Sequence, residues 1–129
     1  MPWKVTVCAE PGFIETVYTG RITKRDSSAA TVETLALANS AGVFFFLSDL
    51  TDAQLDFSTV DIFNIPTEWE SADVKRGGGG LAVVVPADGS LKRDAEFYED
   101  TCRNRGWNVR VFTDRRRAVE WLTSGRAGR

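Results

Sequence analysis

Oxygen-bearing side chains crowd the stretch VFFFLSDLTDAQLDFSTVD, Val43 to Asp61, where Asp49, Thr51, Asp52, Asp56 and Ser58 follow an apolar run. Clustered carboxylates can hold a hard cation, or share a proton so that one of them turns into a general acid. A cation loop of the helix-loop-helix type needs a central glycine and a terminal glutamate, and neither stands in register here. The acids therefore read as solvated loop residues that favour turns and helix starts. Ser58-Thr-Val-Asp61 has the form of a capping box. Its serine hydroxyl would accept from the amide three residues on, which stabilises a helix start by about 1 kcal/mol. A hydroxyl in that position is also a place for a phosphate, because helix N-terminal amides favour negative charge. A second polar group, Asp88 and Ser90 in PADGS, follows the other long apolar run. The candidate ligand- or partner-binding set is thus Asp49, Thr51, Ser58, Asp88 and Ser90. Asp49 with Asp88 could form an acid pair, but nothing in their spacing singles them out.

The chain contains no histidine, which excludes Ser-His-Asp and Cys-His relays and removes the usual nitrogen ligand of transition metals. Cys8 and Cys102 are far apart with no CxxC spacing, so they read as free thiols in a reducing cytoplasm. The expectation is a protein that is not an enzyme, with no catalytic residue, no metal and no cofactor. The glycine run Gly77–Gly80 lacks the Lys-Ser/Thr and following helix of a phosphate-binding loop, and reads as a helix-to-strand connection. Arg115, Arg116 and Arg117 open a helix at the end where the dipole disfavours cations. Ion pairs with Asp114 or Glu120, or an acidic partner, would account for them.

Several elements must position these residues. WKVTVCA alternates, with Trp3, Val5 and Val7 on one face and Lys4, Thr6 and Cys8 on the other. EPGF turns the chain into FIETVYTGRI, which gives an antiparallel hairpin over residues 3–22. A helix starting at Asp26 or Ser27 should present Val32, Leu35, Ala36 and Ala38 inward and end at Gly42. Val43–Leu47 and Leu81–Val85 are continuous apolar runs, the pattern of strands buried on both faces. Between them, Ile62, Ile65, Trp69 and Ala72 form an amphipathic stripe interrupted by Pro66. Ala95, Tyr98 and Cys102 mark one further helix, NVRVF a last strand, and Ala118, Trp121 and Leu122 a final helix capped by Thr113 or Asp114.

The order is β-β-α-β-α-β-α-β-α: a single α/β domain with a mixed, mostly parallel β-sheet, an N-terminal antiparallel hairpin and about four helices. The domain is expected over residues 3–123, with 124–129 a disordered tail. At 129 residues with 43% apolar and 26% charged content, the chain can bury one ordinary core. A net charge of −2 gives no general attraction to nucleic acid, and no apolar run is long enough to span a membrane. MPWKVTV does not look like a signal peptide, so the expected location is cytoplasmic.

The initial hairpin, FFFLSDLTDA, GGGGLAVVVPAD and the closing VRVFTDRRRAVEWL together resemble the SpoIIAA-like proteins, small STAS-type domains related in fold to SEC14/CRAL-TRIO domains. That resemblance implies a binding or regulatory module similar to the anti-sigma-factor antagonists, in which a partner kinase phosphorylates a serine at the helix start. Asp49-Leu50-Thr51 matches the opening of the motif and Ser58 falls on its serine, while Phe57, Thr59 and Val60 replace the flanking acid and Ser-Gly. The implied partner is another protein or a second copy as a homodimer. The SEC14-like relatives imply the alternative of a small apolar ligand, to be held by Phe44, Phe45, Phe46 and Trp69.

Overall fold

In the computed structural model the described residues are 2–8, 12–56, 79–87, 89–104 and 106–123, the side chain of Ser90 excepted. They form β1 (Trp3–Cys8), β2 (Phe13–Thr23), α1 (Lys24–Ala41), β3 (Phe45–Asp56), β4 (Gly80–Val84), α2 (Ser90–Asn104), β5 (Val109–Phe112) and α3 (Arg115–Thr123). The strands lie in sequence order in one sheet, β1-β2-β3-β4-β5. β1 pairs antiparallel with β2, and every other pair is parallel. This is a single α/β domain with a mixed sheet whose antiparallel strand sits at the edge. Three helices rather than four are present among the described residues, since the stripe from Ile62 to Ala72 and Ser58 itself lie outside them.

Strand alternation sends two sets of side chains to opposite faces of the sheet. Ile14, Phe46, Leu81, Val83 and Val109 pack with Leu35 and Ala38 of α1 and with Ala95 and Cys102 of α2. Phe13, Leu47, Ala82 and Val84 face the other way and meet Ala118 and Leu122 of α3. The double-sided burial expected of the apolar runs holds: Phe46 and Leu47 are both buried, one in each layer. Cys8 packs in the α3 layer and Cys102 in the other, so the sheet separates the two cysteines, which form no disulfide with each other.

Helix α1 departs from its sequence reading in two ways. It begins at Lys24, earlier than Asp26, because Thr23 is the N-cap. The Thr23 hydroxyl accepts from the Asp26 amide at 3.1 Å, and the Asp26 carboxylate accepts from the Thr23 amide at 3.0 Å, a reciprocal capping box. Thr23→Ala is expected to destabilise the protein by about 1 kcal/mol. Thermal unfolding should show that as a loss of roughly 3–5 °C. The inward face is also different, with Val32 and Ala36 exposed and Ala30, Thr31, Thr34, Leu35 and Ala38 buried. Threonine serves here because its hydroxyl finds partners: Thr31 donates to the Ser27 carbonyl at 2.9 Å, and Thr34 shares a 3.0 Å hydrogen bond with Thr16 of β2. Gly42 ends the helix at φ 69°, in the left-handed conformation that suits glycine, and its amide donates to Ala38.

At the other edge of the sheet, α2 reaches over β5. Glu99 accepts from the Val111 amide at 2.7 Å, and Arg103 donates to the Val109 carbonyl at 3.1 Å. These side chains occupy backbone groups of an edge strand that would otherwise invite another strand.

Candidate functional site

The expected Asp-rich loop is not a loop. Residues Ser48 to Asp56 continue β3, which runs to 12 residues alongside an 11-residue β2. The pairing carries a register shift: Val17 lies opposite Asp49, but Thr19 lies opposite Asp52. β3 therefore advances three residues while β2 advances two, which is a β-bulge at Asp49–Thr51. The cause is local. Asp49 Oδ1 accepts from the Thr51 amide at 3.0 Å and from the Thr51 hydroxyl at 2.6 Å, so the side chain substitutes for ladder partners where the backbone kinks.

The bulge reverses which residues of β3 face the core. Before it, Phe46 and Leu50 pack into the α1–α2 layer. After it, Ala53 and Leu55 stand opposite Gly20 and Ile22, on the same face of β2 as Ile14 and Thr16. Ala53 and Ile22 are buried there. Asp52, Gln54 and Asp56 are turned to the opposite side and are exposed, beside Thr19 and Arg21. Arg21 Nε donates to Asp56 Oδ2 at 2.7 Å, tying the two strands across their exposed face.

β3 meets β4 only as far as Asp49 opposite Val84, so β2 and β3 run on as a two-stranded ribbon past the end of β4. The connection that leaves β4 after Val84 starts at the level of Asp49 and leads to Ser90, the first residue of α2. Asp49 and Thr51 thus lie within β3, level with the C-terminal end of β4, and α/β sheets engage ligands at such strand ends. Ser58 and Asp88 lie outside the described residues.

Two further residues belong to this surface, Glu15 and Arg115. Arg115 Nε donates to Glu15 Oε2 at 2.9 Å, joining the first turn of α3 to β2. The hydrogen bond from Glu15 raises the Arg115 pKa above its ordinary value against the opposing effect of burial, and the charges of Glu15, Asp49 and Cys8 add to the rise. Half of the Arg115 side chain remains accessible, so the pair contributes at most about 1 kcal/mol of stability. Of the ion-pair partners that the sequence suggested, Glu120 accepts from Arg116 Nε at 3.3 Å, whereas Asp114 Oδ1 accepts from the Arg116 backbone amide at 2.9 Å, as a cap of α3. The partner of Arg115 was hidden by a separation of 100 residues. Its one trace in the sequence is a glutamate inside the otherwise apolar start of β2, FIETV.

Glu15, Asp49 and Asp56 each accept a hydrogen bond from a neighbour. With the exposed Asp52 and Gln54 they line one polar face of β2 and β3. Among the described residues no group of three or more His, Cys, Asp or Glu side chains could hold a metal ion, and no helix is long and apolar enough to cross a membrane.

No protein-family model matches the chain, and no curated protein matches it. Among solved structures it is similar to an uncharacterised protein of the DUF3478 family from Shewanella loihica PV-4, which has a SpoIIAA-like fold. The TM-score is 0.56 over 93% of this chain and 91% of the other, at 16% sequence identity. The fold of this chain is SpoIIAA-like. Identity at that level carries the architecture and not the activity.

Proposed function

We propose that the chain is a non-enzymatic binding and regulatory module of STAS type, working in a reducing, cytoplasmic compartment. Its contact surface is the C-terminal rim of the parallel strands together with the exposed face of the β2–β3 ribbon. The observation that carries this reading is the Asp49–Thr51 bulge, which turns Asp52, Gln54 and Asp56 outward and fixes them on a rigid pair of strands. Sites on strands hold their geometry better than sites on free loops, which suits recognition of a matching surface. The outward carboxylates favour a protein partner that offers Lys, Arg or amide donors.

The carrier reading has less support. Phe46 is buried in the α1–α2 layer, and Phe45 packs in the α3 layer. Phe44 packs with Phe46, and Trp69, the fourth aromatic of that reading, lies outside the described residues.

Affinity capture from the native host tests the proposal. The unaltered protein is expected to retain a defined protein partner, and the double variant Asp52→Lys/Gln54→Lys to retain it at least tenfold less, a loss of about 1.4 kcal/mol. Both side chains are exposed, so the variant should unfold at nearly the same temperature. Equal retention by the two proteins would refute the assignment of this surface.

A further inference from the structure

We draw no further inference here: the strongest candidate, the outer edge of β1 beside the exposed Val7, carries nothing because nothing in the structure shows what pairs with it.

Discussion

Leu47→Ala is expected to lower stability by about 2–5 kcal/mol, enough to shift thermal unfolding by roughly 10 °C or more. Leu47 is 0% exposed, lies in β3 between Glu15 of β2 and Ala82 of β4, and belongs to the layer closed by Ala118 and Leu122 of α3. Protein interiors are close-packed, so truncation there leaves a cavity. Val32→Ala gives the contrast. Val32 is 69% exposed, and its loss should change the unfolding midpoint hardly at all, although sequence periodicity alone would rank the two positions as equals. Chemical denaturation of the two variants side by side measures the difference. Similar losses would mean that the α3 layer is not packed as described.

Gly79→Ala is expected to be nearly as damaging for a different reason. A Cβ at this position would stand 2.8 Å from the carbonyl carbon of Phe44, and closer still to its oxygen. The obstacle is backbone, so no side-chain rotation relieves it. The same Phe44 oxygen accepts from the Gly80 amide at 3.2 Å at the start of β4. Relief therefore requires the strand entrance to move and that hydrogen bond to weaken. Overpacking of this kind costs about 1–3 kcal/mol, and here the upper end is expected, with a midpoint about 10 °C lower. An unchanged midpoint would show that β4 enters the sheet by a different path.

The glycine run Gly77–Gly80 was read from sequence as a helix-to-strand connection; Gly77 and Gly78 lie outside the described residues, and Gly80 is already the first residue of β4. The need for glycine at Gly79 in particular was not legible, because it comes from Phe44, 35 positions earlier in the chain.

Much of the fold was legible because it depends on local repetition. The alternation in WKVTV, the unbroken LAVVV and the spacing of Ala95 and Cys102 identify β1, β4 and α2 without knowledge of their neighbours. Two misreadings have physical causes. In α1, hydrophobicity misled: Thr31 and Thr34 are buried because their hydroxyls are bonded, whereas Val32 is outside. In β3, acid count misled. The segment SDLTDAQLD keeps the two-residue period of a strand, but its phase slips at Leu50–Ala53, where the bulge inserts one residue. A phase slip looks like loss of pattern when the sequence is read in one register. The candidate site was legible in part for the same reason. Asp49 and Thr51 were singled out among the candidate binding residues, but their mutual bonding and its effect on Asp52 and Gln54 required the pairing with β2. Glu15 and Arg115 required the full order of the sheet.

The exposed face of the β2–β3 ribbon carries Asp52, Gln54 and Asp56, with Asp56 bonded to Arg21. Whether the chain binds or transforms is most directly measured by incubating the pure protein with a metabolite extract of its native host and following composition by mass spectrometry over time. The expected result is an extract whose composition stays the same as in a protein-free control. Depletion of a defined compound by the unaltered protein, absent with Asp49→Asn, would contradict the binding-module assignment.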